Sequence, residues 1–218
     1  MSDFYTSAQR DLQDQFGSRK LADLLTQVTV HREVQEAERT FIESRDMFFL
    51  ASVDSTGQPT CSYKGGTPGF VRVLDPYTLG FPLYDGNGMF LSAGNMQATA
   101  KIGMLFIDFE KPHRLRVQGT AALSRDPTML ASFHGADLVV RVAIDVIFVN
   151  CPRYIHKYQR VSASRSVPQP GCEPPLAAWK RIDLVQDALP ARDAGKVTLS
   201  GGTITQEQYE ALHAAGKA

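Results

Sequence analysis

The order of apolar and polar positions divides the chain into a helical start and a β-rich middle. Between Phe4 and Phe16 an apolar side chain recurs every four residues, and two further short segments before position 47 repeat a helical spacing. This pattern predicts an N-terminal helical segment over residues 1–46. The simplest interpretation of its apolar stripes is that they pack against the main body of the protein.

The region from Met47 to about Val149 has a different pattern of apolar and polar residues. Short runs rich in β-branched and aromatic residues are separated by turn residues, which is typical of antiparallel strands. This spacing favours an antiparallel barrel or sandwich over alternating βαβ units. The runs cover residues 47–53, 60–64, 70–74, 88–93, 102–109, 113–123 and 138–149.

Two of these runs indicate what lies on each side of the sheet. In 113–123, Leu115 and Val117 alternate with Arg114 and Arg116, so one face packs on a core and the other presents a cationic row. The run 102–107 shows no such alternation. An antiparallel strand needs apolar residues on both faces only when its outer side is covered. We therefore expect a second subunit on that side.

Composition excludes several classes of protein. The 218 residues include 23 Lys+Arg and 23 Asp+Glu, so the formal net charge is zero. A neutral chain without a basic run lacks the clustered positive charge that is typical of nucleic-acid binders and of proteins that bind membrane surfaces through polybasic segments. Its mean hydropathy is −0.19, and no apolar run approaches the roughly 20 residues of a membrane span. The N-terminal sequence shows no signal peptide, and the three cysteines are widely spaced, so we expect them to be free thiols. Both observations lead us to expect a cytoplasmic protein.

Only one segment of the sequence carries candidate chemistry. The sequence has no P-loop, no dinucleotide fingerprint and no nucleophile elbow, and its five histidines lack metal-ligand spacing, so we expect no metal site. Residues 62–73 hold Lys64 and Arg72 together with three glycines, around two strand ends. Glycines let a ligand approach the backbone, and flanking cations suit a phosphate group. The plainer interpretation is a glycine-rich turn beside a solvated Lys64.

Several segments, in this order, resemble one known family. They are FIESRDMFFLASVD at 41–54, SYKGG at 62–66, GFVRVLD at 69–75, YDGNGMFLS at 84–92, LFIDF at 105–109, RLRVQG at 114–119 and CPRYIH at 151–156. Together with the helical start, they make residues 1–182 similar to the pyridoxamine 5'-phosphate oxidase-like, FMN-binding split-barrel family. More narrowly, the chain resembles a bacterial branch described only as FMN-dependent enzymes, and not the true oxidase.

The resemblance implies a fold and an assembly. The expected architecture is mainly β with flanking helices, a six-stranded antiparallel Greek-key split barrel that forms a homodimer. FMN would occupy two clefts at the subunit interface. We expect the barrel domain with its C-terminal arm to cover residues 47–187. A polar linker and a short helical tail, with Thr205 as N-cap, would follow over 188–218.

The resemblance also implies which residues contact the cofactor. Ser62, Tyr63 and Lys64 lie on the strand that offers backbone and a cation to the flavin phosphate and ring. Ser92 matches the strand-end hydroxyl that contacts ribityl or phosphate, and Asn95 stands at the following helix start, where an anion is favoured.

Further positions are implied on later elements. Arg114 and Arg116 would lie near the pyrimidine carbonyls, where a cation stabilises reduced flavin. Arg72 is a second cation near the phosphate, and Tyr154 and His156 mark the C-terminal strand end.

The sequence departs from the true oxidase at informative places. That enzyme has an arginine where Ser62 aligns and an Arg-Lys pair where Asn95-Met96 stands, and its C-terminal substrate motif is not recognisable here. Oxidation of pyridoxine phosphate is therefore not supported, whereas FMN binding is.

These observations lead to one functional hypothesis and its alternatives. The first is an FMN-dependent oxidoreductase acting on an unidentified small organic substrate. No obligate acid or base stands out, although Tyr63, Tyr154 and His156 are candidates for moving a proton; Tyr154 and His156 could equally anchor a strand end. The alternatives are a non-catalytic carrier of flavin, deazaflavin or haem, with His156 as the nearest axial ligand, and a structural dimer with an empty cleft.

Overall fold

The computed structural model describes residues 4–217. The chain divides into two compact units, a larger one that ends at Val161 and a smaller one that begins at Ser162.

The larger unit begins with helices where the apolar spacing predicts them. α1 (Ser7–Gln15), α2 (Arg19–Thr29) and α3 (Glu36–Glu43) precede the first strand. The side chain of Thr6 caps α1, and Gly17, with φ +62°, turns the chain between α1 and α2. α3 buries Ile42, whereas the large apolar side chains of α1 and α2 stay exposed in the described chain.

A seven-stranded antiparallel sheet forms the body of this unit. The strand order is β2-β1-β5-β6-β7-β4-β3, with β2 and β3 at the two edges. This mainly β arrangement with flanking helices is consistent with a split barrel. The strands are β1 (Met47–Val53), β2 (Pro59–Gly65), β3 (Arg72–Asp75), β4 (Thr78–Leu83), β5 (Lys101–Asp108), β6 (His113–Ser124) and β7 (Leu138–Asn150).

The expected six-stranded barrel is wrong in its strand count, because residues 78–83 form a seventh strand, and the sheet is not closed. Gly80 and Pro82 hid β4 from the sequence pattern, yet β4 pairs along its length with β7. The predicted strand over 88–93 is also wrong. Phe90 adopts the left-handed conformation (φ 51°), and α4 (Leu91–Thr99) starts directly after it.

The core lies on the inner face of the sheet. Phe48, Phe81 and Phe106 are fully buried, and the ring of Phe48 lies 5.1 and 5.3 Å from the rings of the other two. Burying such large rings is the main apolar contribution to folding. Leu115 and Val117 of β6 are fully buried beside them, as the alternation of that strand predicts.

The opposite side of β1, β5, β6 and β7 is called the outer face here. Strand register places Phe49, Leu105, Arg116 and Phe148 in one row across it. Leu105 is only partly buried, in contrast to its buried neighbours on the inner face. The outer face is therefore apolar in its centre and cationic at β6.

The smaller unit is built from short helical turns, with α6 (Lys196–Leu199) and α7 (Gln206–Ala214). Its interior holds an ion pair between Lys180 and Asp193, 2.9 Å long and almost completely buried. The predicted N-cap is confirmed, since the Thr205 hydroxyl accepts a hydrogen bond from the backbone of Gln208.

The larger unit also contains α5 (Pro127–Ser132), between β6 and β7.

Candidate functional site

Helix α4 lies against β1 and β2 through polar side chains. Asn95 is buried and donates from Nδ2 to the hydroxyls of Ser52 (3.1 Å) and Thr60 (3.2 Å). One turn later, Thr99 donates to the carbonyl of Val53 at 2.7 Å. These bonds satisfy polar groups that would be costly to bury alone, and they fix the helix along the sheet edge. Asn95 therefore faces the β1–β2 edge.

At the start of the same helix, a lysine and two hydroxyls meet. Lys64 Nζ donates to the Ser92 hydroxyl at 3.2 Å, and the Ser62 and Ser92 hydroxyls are 3.2 Å apart. The period-2 alternation of β2 puts Ser62 and Lys64 on one face, and Ser92 stands in the first turn of α4. Lys64, Ser62 and Ser92 are called the Lys64 cluster below.

The electrostatics of this cluster favour an anion. Burial lowers the pKa of Lys64, and no carboxylate in residues 4–217 forms an ion pair with it to offset that cost. The first backbone N–H groups of α4 lack partners within the helix and carry the positive end of its dipole. A bound anion would pair with Lys64 and restore the stability of its charged form.

The Lys64 cluster forms one wall of a cavity of about 240 Å³. The opposite wall comes from the loop after β4 and the start of β7. Its lining side chains there include Leu83, Tyr84, Asn87, Phe90, Asp137 and Leu138.

Tyr84 is the titratable phenol of this wall. Burial raises its pKa, and the nearby positive charge of Arg72 opposes that effect in part. The Tyr84 hydroxyl therefore keeps its proton at neutral pH and can donate a hydrogen bond into the cavity.

The glycines after Lys64 serve packing inside the chain. A Cβ at Gly66 would lie 2.3 Å from the ring of Phe70, and one at Gly65 would lie 2.7 Å from the ring of Tyr63. Both positions thus exclude side chains because aromatic rings occupy the space. Lys64 itself is not the solvated turn residue of the plainer interpretation, since it is half-buried and bonded to Ser92.

The structure places Tyr63 and Arg72 outside the cluster. Tyr63 projects from the opposite side of β2 and is 62% exposed. Arg72 stacks its guanidinium on the ring of Phe133 at 4.7 Å. Its positive charge opposes the rise in the pKa of Tyr84, which is its effect on the cavity.

Arg114 and Arg116 lie together on β6, as the alternation predicts, and both belong to the outer face. Arg116 is exposed, and the Nε atom of Arg114 is buried without a hydrogen-bond partner. A second cavity of about 390 Å³ opens on the outer face, lined by Ala51, Gly103 and other residues of β1, β5, β6 and β7. This cavity does not include either arginine.

Tyr154 and His156 are not brought to either cavity. Both are exposed in the irregular segment after β7, with Tyr154 in the left-handed conformation (φ 71°) and 84% exposed. The structure thus groups three of the predicted site residues and leaves these two apart. Their predicted contacts with a cofactor stay predictions.

Sequence reasoning missed the cavity wall that faces the cluster. Tyr84 begins one of the family-like segments, but nothing in that segment marks it as a site residue, and Asp137 is far away in sequence. Only the pairing of β4 with β7 reveals that the two are neighbours. A usable signal did exist for α4, because Ser92, Asn95 and Thr99 share one helical face.

Residues 4–217 contain no group of three His, Cys, Asp or Glu side chains that could hold a metal ion. Cys61, Cys151 and Cys172 are free and exposed. Among the described helices, none combines the length and apolar character that crossing a membrane requires.

The solved structures that match this chain carry different descriptions. A candidate pyridoxamine 5'-phosphate oxidase from Lactobacillus delbrueckii is 27% identical, with 54% of this chain and 95% of that chain covered and a TM-score of 0.44. An FMN-binding protein from Syntrophomonas wolfei is 12% identical, with coverages of 66% and 98% and a TM-score of 0.39. The haem storage protein HutZ from Vibrio cholerae is 17% identical, with coverages of 54% and 94% and a TM-score of 0.40. Likeness at this level assigns no ligand to the present chain.

A family comparison is more decisive. None of the curated proteins matches the sequence. The family model described as pyridoxamine 5'-phosphate oxidase, however, matches residues 34–167, which is more than half of the chain. The matched range runs from just before α3 through all seven strands and contains the whole Lys64 cluster. This chain therefore belongs to the pyridoxamine 5'-phosphate oxidase-like split-barrel family.

Proposed function

We propose that the chain binds FMN, with the flavin phosphate at the Lys64 cluster, and acts as an FMN-dependent oxidoreductase on a small organic substrate. The observation that carries this proposal is the meeting of Lys64, Ser62 and Ser92 at the start of α4, inside a cavity of about 240 Å³.

The donor set fits a phosphate monoester. Lys64 supplies a cation, Ser62 and Ser92 supply hydroxyl donors, and the first turn of α4 supplies backbone N–H groups. Since burial alone already disfavours the charged form of Lys64, a dianionic group gains more here than at an exposed lysine.

The cavity of one chain is too small for the complete cofactor. Sites for ligands of this size have volumes of about 300–1,000 Å³, whereas the cavity at the Lys64 cluster has about 240 Å³. We propose that a second copy of the chain completes the cleft, as a homodimer. The apolar centre of the outer face supports this proposal because Leu105 is only partly buried within one chain.

The chemistry would be supplied by the bound flavin, which accepts a hydride or two electrons and passes them to an acceptor. The residues of this chain would bind and orient it. Lys64 and Ser92 would hold the phosphate, and the protonated hydroxyl of Tyr84 would donate a hydrogen bond from the facing wall.

A carrier of flavin, deazaflavin or haem on the same barrel is the alternative. A haem carrier would need an axial histidine, and neither of the two cavities described above is lined by one. The arrangement at the Lys64 cluster therefore favours a phosphorylated flavin.

The first experiment asks which molecule the purified protein holds and whether it turns over. We expect a yellow protein with a flavin spectrum, FMN by mass spectrometry, and bleaching by a reductant followed by recovery with an acceptor. A Soret band would identify the protein as a haem carrier and overturn the proposal. A bound flavin that is never reduced and reoxidised would identify a flavin carrier and not an enzyme.

The second experiment tests the site. Lys64→Ala should weaken FMN binding about tenfold or more, because a charge-assisted contact to phosphate is lost. Lys111→Ala, an exposed lysine on the β5–β6 turn, is the matched control and should bind FMN as the natural chain does. Equal FMN affinity in both variants, measured by fluorescence titration, would remove Lys64 from the site.

A further inference from the structure

The two N-terminal helices expose an apolar face that the single chain does not cover. On α2, Leu21, Leu24, Leu25 and Val28 follow the spacing of one helical side, and their exposed fractions are 46–66%. Phe16 at the end of α1 is 81% exposed. A stripe of this kind normally faces a core, and monomers rarely expose large contiguous apolar patches. These five residues and Leu12, which is 54% exposed, are called the leucine face.

The helices hold each other through polar groups instead. The Tyr5 hydroxyl donates to the carbonyl of Ala22 at 3.2 Å and accepts from Thr26 at 3.0 Å. Arg10 forms an ion pair with Asp23 across the two helices. These contacts join α1 and α2 into a helical hairpin, called the hairpin below, that leaves the leucine face free for an external contact.

Both ends of the hairpin are attached to β7. The ring of Phe4 lies edge-on to the ring of Phe148 at 5.6 Å, and Phe148 belongs to the outer face. After α2, His31 pairs with Ile147 through two backbone hydrogen bonds of 3.1 and 2.8 Å. The leucine face thus belongs to a hairpin that is anchored beside the apolar surface for which a second subunit is proposed.

The charge of the hairpin distinguishes between possible partners. Residues 7–29 contain three basic and three acidic side chains, Arg10, Arg19 and Lys20 against Asp11, Asp14 and Asp23. Amphipathic helices that bind membrane surfaces carry an excess of positive charge on the polar side. A balanced hairpin has no such attraction, and it meets no repulsion from an identical hairpin on a chain of zero net charge.

We propose that a second copy of this chain covers the leucine face, so that the hairpin of each protomer packs on its partner. The inference rests on the proposed function only in that both invoke the same second copy. It adds a separate contact surface, outside the cavity and outside the row of Leu105.

The test compares two charge substitutions on one helix. Leu24→Asp/Val28→Asp should raise the dissociation constant of the dimer about a hundredfold or more, because two apolar side chains lose their cover. Gln27→Asp adds a charge on the exposed polar side of α2 and should leave dimerisation unchanged. Sedimentation over a range of concentrations measures both variants and the natural chain.

A second measurement locates the contact. Backbone hydrogen exchange in α2 of the natural chain should accelerate when the protein is diluted below its dimer dissociation constant, while exchange in α7 stays constant. A natural chain that is monomeric throughout, a double variant that dimerises normally, α2 exchange independent of dilution, or binding of the hairpin to anionic vesicles instead of a second chain would each overturn the inference.

FMN titration on the same samples separates this inference from the proposed function. If the natural dimer binds FMN and the double variant remains dimeric, only the leucine-face contact fails. If the natural chain dimerises through this face but binds no FMN, only the proposed function fails.

Discussion

Helices α4 and α2 show opposite relations between polarity and burial. α4 carries polar residues at helical spacing, and Ser92, Asn95 and Thr99 all find partners on β1 or β2. α2 carries leucines at helical spacing, and they remain exposed in the single chain. Polarity alone therefore does not tell which helix side is internal. The polar side of α4 is inside because its partners are in the same chain, and the leucine face is outside because its proposed partner is another chain.

The largest expected effect tests the polar contact of α4. Asn95→Ala should lower the free energy of unfolding by about 2 kcal/mol, because the buried Ser52 hydroxyl and the partly buried Thr60 hydroxyl lose a donor. Urea unfolding measures it, with Gln97→Ala on the exposed side of α4 as the control. A loss no larger than that of the control would mean that α4 is not held by its polar side.

The next effect concerns the charge at the start of α4. FMN affinity should fall about tenfold as pH rises past the pKa of Lys64, since the neutral amine no longer attracts phosphate. Because burial lowers that pKa, the fall should begin below the value of about 10.4 of an ordinary lysine. Lys64→Arg, which keeps its charge, should bind FMN with no such pH dependence. A natural chain as insensitive to pH as this variant would contradict the assignment.

A smaller effect, a gain in stability, should appear in the ligand-free protein when Lys64 is replaced. Lys64→Met removes a partly buried charge, so the ligand-free protein should gain stability by at most about 1 kcal/mol while FMN binding weakens. The folded chain releases the Lys64 proton at lower pH than the unfolded chain does, so stability of the natural chain rises with pH through that interval. The Met variant should lack this rise in thermal unfolding at several pH values. If the natural chain also lacks this rise in stability with pH, the lowered pKa of Lys64 is contradicted.

The smallest effect is expected on the leucine face. Under dilute, monomeric conditions, Leu24→Ser should change the free energy of unfolding by less than about 0.5 kcal/mol, since this side chain is already 55% exposed. A loss of several kcal/mol in urea unfolding of the monomer would show that the leucine face packs within its own chain. That result would remove the contrast between α2 and α4.

The strands illustrate how much of the fold could be predicted. β1, β2, β5, β6 and β7 lie close to the predicted runs because alternation along a strand is a local property. β4 was hidden by Gly80 and Pro82, which oppose strand formation locally but are tolerated in its pairing with β7. The run 88–93 has strand-like composition, yet the contacts of α4 with the sheet edge impose a helix there.

For the site, the resemblance pointed to Ser62, Lys64 and Ser92, and the structure brings them together. Neither the residue types nor the spacing indicated that Tyr84 faces them. Nor did they indicate that the glycines after Lys64 make room for aromatic rings.

By itself, the sequence determined the helical start, most strands, the inner and outer sides of β6, and the family. All of these depend on periodicity or on short contiguous segments. Only the tertiary structure decided that Lys64 is half-buried against Ser92, that Asn95 faces β1 and β2, and that the leucine face has no cover in one chain. These features depend on which distant residues share a space, because burial and pairing are set by the packed chain and not by the order of its residues.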